Sequence, residues 1–172
     1  MHILIVVDMQ NDFVSGSLGS DSARKIVPKM VDYLSHFSGS LYFTRDTHGK
    51  DYLSTEEGRH LPVEHCIKGT KGHEIIAELV PFINNVTIID KPTFGSILLA
   101  EEIKALAEKS KVEDITLCGV CTDICVISNA LLLKAYLPNT PIRLISSLCA
   151  GSSDKAHFDA LSVMKCCQID VI

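Results

Sequence analysis

The chain has 172 residues, of which 47% are hydrophobic and 22% charged, and its formal net charge is −5 at pH 7. This is ordinary globular composition, and the acidic balance without any lysine or arginine cluster argues against nucleic acid or an anionic membrane as partners. We therefore expect one domain over residues 1–172 that acts on a small molecule. The N-terminal segment Met1–Asp8 lacks a basic region and an apolar run of membrane length, which favours a cytoplasmic protein.

Short apolar segments of strand-like character alternate along the chain with segments of helical character. The predicted strands are Ile3–Val7, Leu41–Thr44, Val86–Ile89, Ile115–Cys118, Ile142–Ile145 and Ile169–Ile172. The predicted helices are Val27–Phe37, with Pro28 in its first turn, His73–Val80, Ile97–Lys109, Ile124–Tyr136 and Asp154–Cys166. The alternation predicts the α/β class: a single three-layer α/β/α domain with a mostly parallel, six-stranded sheet.

Chemically capable side chains follow several of the predicted strands. Asp8 follows the first strand, Asp46 the second, Asp90 and Lys91 the third, and the Cys121–Cys125 turn the fourth. In doubly wound folds the ligand site lies at the carboxyl ends of the strands. A carboxylate, a cation and a thiol at one edge make a cysteine nucleophile with an acid/base partner chemically reasonable.

Seven cysteines raise the question of whether they share a role. The number is odd and the chain is apolar enough to fold without staples, so we expect most of them to be small buried hydrophobic residues. The spacing of Cys118 and Cys121 also fits zinc or redox chemistry, but a matching second ligand pair is missing and Cys118 ends a strand. Cys125, in the first turn of a predicted helix, lies where the helix dipole favours a thiolate.

Three short segments together resemble the signatures of a known enzyme family. They are Asp8-Met9-Gln10-Asn11-Asp12-Phe13, Lys91 just past the third strand, and Gly119-Val120-Cys121-Thr122-Asp123-Ile124-Cys125-Val126. In this order they look like those of the isochorismatase-like cysteine hydrolases, with the nicotinamidase branch nearest. The resemblance covers nearly the whole chain and implies the isochorismatase-like hydrolase fold.

The resemblance also implies roles for individual residues. Asp8 would be the general base, and Lys91 would keep the carboxylate of Asp8 ionised. Cys125 would attack an amide carbonyl to form a thioester. A cis peptide bond is implied between Val120 and Cys121. The backbone N–H groups of Cys121 and Cys125 would form the oxyanion hole.

A metal site is predicted at the end of the second strand. Asp46 and His48 are two residues apart and therefore face the same way, and a third ligand can come from the following loop. The segment Pro62–Gly72 resembles the nicotinamidase segment whose histidine completes such a site, which implies Asp46, His48 and His65 as ligands. We expect a divalent cation, zinc first, that binds a pyridine nitrogen or supplies water. We expect His60 to face solvent.

The substrate prediction rests on the resemblance and on two phenylalanines. Nicotinamidases commonly stack the pyridine ring between the counterpart of Phe13 and a tryptophan, but this chain has no tryptophan, and Pro62 stands at about that place. Phe13 and Phe94 remain as candidate aromatic walls, with ordinary core packing as the alternative for both. Nicotinamide is the first choice of substrate, and another small amide or an N-carbamoyl (ureido) compound is the second.

Two other classes of function and one assembly remain open. The first class is a thiol redox or metal-sensing protein that uses Cys118, Cys121 and Cys125, and the second is a catalytically silent binding module. The predicted helix Ile124–Tyr136 is apolar on all sides, which indicates a homo-oligomer unless the neighbouring helices of the same chain cover it.

Overall fold

The structure is a computed structural model that describes residues 1–172 and contains one six-stranded sheet. Its strands are β1 (His2–Val7), β2 (Ser40–Asp46), β3 (Thr87–Lys91), β4 (Asp114–Val120), β5 (Ile142–Ala150) and β6 (Asp170–Val171). All neighbouring strands are parallel, in the order β3-β2-β1-β4-β5-β6. Because the strand order reverses at β1, a crevice opens beyond the carboxyl ends of β1 and β4.

The helices connect successive strands. They are α1 (Asn11–Val14), α2 (Asp21–His36), α3 (Glu56–His60), α4 (Ile97–Lys109), α5 (Ile127–Tyr136) and α6 (Asp154–Cys166). Right-handed crossovers place α2 on one face of the sheet and α4, α5 and α6 on the other. The predicted three-layer α/β/α fold is thus confirmed, with a sheet that is parallel throughout.

The central strand β1 shows why the strands are recognisable in the sequence as short apolar segments. Residues Ile3–Val7 are completely buried, since both faces of this strand are covered. Parallel strands covered on both faces consist of continuous apolar residues rather than of alternating ones.

No helix combines the length and the apolar character that a bilayer crossing requires.

Three predicted helices differ from the observed ones. Helix α2 begins at Asp21, after Ser20 accepts a hydrogen bond from the Ala23 N–H, so Pro28 lies inside the helix and not in its first turn. The predicted helix His73–Val80 is wrong. Short 3-10 turns occupy Lys71–His73 and Ala77–Phe82, and the residues between them are extended.

The reason for the second difference lies in tertiary pairing. Ile75 forms an antiparallel bridge with Gln10, and the Ile76 N–H donates to the Met9 carbonyl. These backbone groups are therefore engaged by the segment that follows β1 and are not free for an α-helical ladder.

The third difference concerns Ile124–Tyr136, where a π-helical turn, Thr122–Val126, precedes α5.

Candidate active site

Asp8, Lys91 and Cys125 meet at the carboxyl ends of the central strands. Lys91 ends β3, and its ammonium nitrogen Nζ lies 2.6 Å from Asp8 Oδ2 and 3.4 Å from Cys125 Sγ. All three side chains are buried, Asp8 and Lys91 completely. The structure thus brings together the three predicted catalytic residues, with the lysine between the carboxylate and the thiol.

Burial and neighbouring charges set the protonation of this cluster. Burial raises the pKa of Asp8, and so does the Asp46 charge, although Lys91 partly opposes this. Burial alone would lower the pKa of Lys91, but Asp8, Cys125 and Asp46 together outweigh burial and raise that pKa. Burial and the Asp8 charge hold the pKa of the Cys125 thiol well above its ordinary value. The cluster therefore consists of the Lys91–Asp8 ion pair beside a thiol whose ionised form is disfavoured.

The state of Cys125 corrects the expectation that a helix dipole favours its thiolate. Cys125 lies within the π-helical turn and not in the first turn of a regular α-helix, and its side chain is buried. Desolvation disfavours the charged form of a thiol. Ionisation of this thiol would therefore require a base, and the Asp8 carboxylate is close enough to affect its pKa.

Thr44 holds Asp8 in place, a role that the sequence did not indicate. The Thr44 hydroxyl donates to Asp8 Oδ1 over 2.6 Å, and the Asp8 N–H donates to the Thr44 carbonyl over 3.2 Å. Asp8 itself has a φ of 50°, in the left-handed region that residues other than glycine seldom adopt. The neighbouring strand β2 thus supplies hydrogen bonds that stabilise this conformation.

The turn after β4 has the predicted cis peptide bond between Val120 and Cys121. The Cys121 N–H donates to no carbonyl of the surrounding turns and caps. Gly119 has a φ of 118°, and a Cβ atom there would lie 2.1 Å from the Val7 carbonyl oxygen. Only glycine allows this close approach of β4 to β1. Cys118 is fully buried in β4, as predicted for a packing residue.

A second cluster beside the first contains the three predicted metal ligands and one more residue. Asp46 Oδ2 lies 2.8 Å from His48 Nε2 and 3.4 Å from His65 Nε2. Glu57 Oε1 lies 3.6 Å from His48 Nε2 and 3.7 Å from His65 Nε2. Donor atoms around a tetrahedral zinc ion at bonds of 2.0–2.1 Å are about 3.3 Å apart, close to this spacing.

Hydrogen bonding prepares the cluster for a cation. His65 Nδ1 lies 2.8 Å from the Val63 carbonyl, which fixes the tautomer that leaves Nε2 as a lone-pair donor. Burial alone would raise the pKa of the Asp46 carboxyl. Hydrogen bonds from His48 and His65 and the charge of Lys91 outweigh this effect and hold the pKa below the ordinary value. Its second oxygen, Oδ1, is buried without a hydrogen-bond partner. Two imidazoles and two carboxylates, one with an unpaired buried oxygen, fit a divalent cation.

Glu57 is the ligand candidate that sequence reasoning missed. It lies in the first turn of α3, beside Glu56, where acidic residues commonly complement the helix dipole. Its only signal in the sequence was its place in the polar loop between His48 and His65. His60 is outside the cluster: its side chain is 73% exposed and pairs with Glu56, in agreement with the prediction.

A cavity of about 430 Å³ lies in front of both clusters. Cys121 and Cys125 line it, and so do Asp46, Glu57 and His65. Both predicted aromatic walls, Phe13 and Phe94, also line it. Phe94 is 44% exposed, so it lies at the rim and not in the core. Leu61, rather than Pro62, is the lining residue before the metal-cluster histidine.

Asp90 lies outside this arrangement. Its carboxylate accepts a hydrogen bond from the Arg45 Nε over 2.7 Å, and it does not line the cavity. Neighbouring residues of a strand point to opposite faces, which explains why Lys91 enters the site and Asp90 does not. The placement at a strand end was therefore predictable for both residues, but only one of them reaches the cavity.

Comparisons with known proteins identify the family of this chain. The isochorismatase domain family matches residues 2–172. The nicotinamidase of Schizosaccharomyces pombe is 28% identical over 204 aligned positions, which cover 98% of this chain and 91% of the relative.

Solved structures with the same fold include two from this group of enzymes. A pyrazinamidase of Pyrococcus horikoshii in complex with zinc superposes with a TM-score of 0.83 at 28% identity, covering 99% of this chain and 98% of the other. A pyrazinamidase/nicotinamidase of Streptococcus mutans gives a TM-score of 0.84 at 25% identity over the whole of both chains. With the family match over nearly its entire length, the chain belongs to the isochorismatase family, in its nicotinamidase-like branch.

Proposed function

We propose that this chain is a cysteine-dependent amidohydrolase that converts nicotinamide to nicotinic acid and ammonia. The observation that carries the proposal is the Lys91 ammonium, which lies within 3.4 Å of Cys125 Sγ and 2.6 Å of Asp8 beside an apolar cavity. A hydrolase of linear amide C–N bonds is also what family membership and the nicotinamidase relatives indicate. The nucleophilic thiol must stay reduced, which supports a cytoplasmic location.

In the first half-reaction Asp8 takes the proton of the Cys125 thiol. The sulfur attacks the amide carbonyl carbon, and the electron pair of the C=O bond moves onto oxygen. The N–H groups of Cys121 and Cys125 are the proposed donors to this oxyanion. When the tetrahedral intermediate collapses, the C–N bond breaks, Asp8 returns the proton to the nitrogen, and ammonia leaves a thioester on Cys125.

In the second half-reaction water hydrolyses the thioester. Asp8, again ionised, takes a proton from the attacking water, and oxygen bonds to the acyl carbon. The C–S bond then breaks, the sulfur regains the proton from Asp8, and the carboxylic acid is released. Lys91 stabilises the negative charge that alternates between the carboxylate and the sulfur during these steps.

Asp46, His48, Glu57 and His65 are the proposed ligands of a divalent cation, zinc first. Such an ion supplies a Lewis-acid contact for a ring nitrogen of the substrate or for water. Phe13, whose ring centroid lies 5.5 Å from that of His65, is placed to contact a ring held beside this cluster. Phe94 at the rim would contact the same ring.

The apolar lining of the cavity supports nicotinamide over the second class of substrate. Most of its lining residues are hydrophobic, and Phe13 and Phe94 are among them. A heteroaromatic amide offers a ring for these side chains to contact, whereas a ureido compound without a ring does not.

The test is an ammonia-release assay across nicotinamide, pyrazinamide, N-carbamoyl amino acids and simple aliphatic amides, with and without a chelator. The proposal expects turnover of the heteroaromatic amides and its loss on chelation. Ligand binding without ammonia release from any of these amides would instead indicate a silent binding module. Turnover restricted to N-carbamoyl compounds would move the substrate to the second class.

The nucleophile is tested by Cys125→Ala, which we expect to abolish ammonia release while the circular dichroism spectrum and melting temperature stay near those of the wild type. Removal of one triad member commonly costs several orders of magnitude in kcat, roughly 10⁴ or more. Cys166→Ser, at an exposed cysteine of α6, is the matched control and should retain activity. Full activity of Cys125→Ala, or a reversible Cys118–Cys121 disulfide as the functional species, would refute this mechanism.

A further inference from the structure

Asn129 is a buried amide in a helix that is mostly apolar. It lies in α5 and is 1% exposed. Its Nδ2 donates to the Cys125 carbonyl over 2.8 Å and to the Phe94 carbonyl over 3.1 Å, and its Oδ1 accepts from the Ser96 N–H over 2.9 Å. One side chain therefore joins the nucleophile turn to the segment that follows Lys91.

Only one orientation of this amide satisfies all three partners. Two of them are carbonyl oxygens, which need donors, and the third is an N–H group, which needs an acceptor. Ser96 is also the N-cap of α4, because its hydroxyl accepts from the Leu99 N–H. The amide thus uses both of its N–H donors and one lone pair of its oxygen to hold the segment Pro92–Ser96 against α5.

Close packing at Gly95 supports the same contact independently. A Cβ atom at Gly95 would lie 2.6 Å from Leu132 Cδ1 and 3.3 Å from the Ser128 carbonyl oxygen, both on α5. The backbone of the segment is therefore pressed directly onto the helix. Phe94, immediately before this contact, is the rim wall of the cavity.

We propose that Asn129 is a positioning residue that fixes the position of Phe94 relative to Cys125. This role rests on the proposed function. The hydrogen bonds run to the backbone of both residues, so they set the relative position of the reacting sulfur and the ring-contacting side chain. The part of the substrate that depends on this positioning is the aromatic ring, which Phe94 would contact. Small amides without a ring would not depend on it.

The test uses two variants that disturb the contact from opposite sides. Asn129→Leu removes the three hydrogen bonds, and Gly95→Ala adds a methyl group 2.6 Å from Leu132 Cδ1 and 3.3 Å from the Ser128 carbonyl oxygen, so the segment or Leu132 must shift while Asn129 stays intact. Both should raise KM for nicotinamide by roughly two- to tenfold, the loss of an aromatic contact, with a smaller effect on kcat. If Asn129→Leu does not fold, Gly95→Ala decides.

A second measurement does not need turnover. Cys125 is alkylated with iodoacetamide and with iodoacetanilide, which has the same reacting group and a phenyl ring. The ratio of the aryl rate constant to the small-reagent rate constant should fall in both variants. If the wild type releases no ammonia from nicotinamide, the proposed function fails, but this ratio still decides the role of Asn129.

Ile103→Val is the matched control, since Ile103 is a fully buried core residue of α4 that does not line the cavity. It loses core packing without touching the Phe94 segment. A purely structural role of Asn129 would lower the melting temperature and leave KM and the alkylation ratio at the values of this control. That result would overturn the proposal.

Discussion

At the scale of single residues, Lys91 lies between the Asp8–Cys125 cluster and the cluster of Asp46, His48, Glu57 and His65, and it contacts a carboxylate of each. Its ammonium lies 2.6 Å from Asp8 and 3.6 Å from Asp46 Oδ1, and it is completely buried. A buried lysine without partners would lose its charge, but the facing carboxylates raise its pKa. The same charge compensates the Asp8 carboxylate and so favours its ionised form in a desolvated site.

The pH dependence of turnover follows from Asp8. Its pKa is raised by burial and by Asp46, against the opposing effect of Lys91 and of the Thr44 hydrogen bond. Asp8 must be ionised to accept the Cys125 proton, so activity is lost as the pH falls through this raised pKa. We expect the acidic limb of kcat/KM for nicotinamide above the ordinary aspartate value of about 3.9.

Thr44→Val sharpens this prediction, because it removes a hydrogen bond that lowers the pKa of Asp8. The acidic limb should therefore move to higher pH. Thr116→Val, in the buried strand β4, is the control and should leave the limb in place. An acidic limb at or below the ordinary aspartate value in the wild type would contradict the role of Asp8.

Metal affinity is predicted to depend on Glu57. Its Oε1 completes the group of four donor atoms, all within 4.8 Å of one another. Glu57→Gln removes a charged ligand and should weaken zinc binding by at least about tenfold, measured by competition with a chromogenic chelator. Glu56→Gln changes the neighbouring exposed acid and should leave the affinity unchanged. Equal affinities of the two variants would remove Glu57 from the site.

At the scale of elements, α5 is less exposed than its sequence indicated. It packs between α4 and α6, so neighbours within the chain cover much of its apolar surface. Of the large apolar side chains in this region, Ile97 and Leu98 of α4 are 58% and 59% exposed, and Leu131 of α5 is 36% exposed. We therefore expect the interface of the predicted homo-oligomer at the start of α4, where Ile97 and Leu98 are exposed, rather than along all of α5.

We predict that the wild type sediments as a dimer or larger species at micromolar concentration and that Leu98→Glu shifts it toward the monomer. A charge buried in an apolar interface is strongly unfavourable. Ala105→Glu adds the same charge at another exposed position of α4 and should leave the sedimentation coefficient unchanged. A monomeric wild type would contradict the predicted oligomer.

At the scale of the whole molecule, the segment after β1 anchors the long loop that carries the metal cluster. Gln10 donates to the Asp46 and His73 carbonyls and accepts from the Asp46 N–H over 2.7 Å. Asp12 accepts from the Cys66 N–H over 2.8 Å, next to His65. The polar residues between Asp8 and Phe13 thus connect the nucleophile side of the cavity to the metal side.

These anchors mark the limit of what sequence reasoning reached. Gln10 and Asp12 are adjacent in sequence to a predicted catalytic residue, but their partners are 36 to 63 residues away. No local pattern reveals a hydrogen bond to a distant backbone carbonyl. The same limit explains why Thr44 and Asn129 were not identified, since both look like ordinary residues of a strand and a helix.

The sequence by itself determined the strand and helix alternation, the parallel sheet and the strand ends at which Asp8, Lys91 and Cys125 lie. Burial on both faces imposes continuous apolar strands, and parallel strands bring their carboxyl ends to one edge. Only the tertiary structure decided that Glu57 joins Asp46, His48 and His65, that Asp90 stays outside and that burial raises the pKa of the Cys125 thiol. These depend on distances between separate segments and on desolvation, which arise only when the chain is packed.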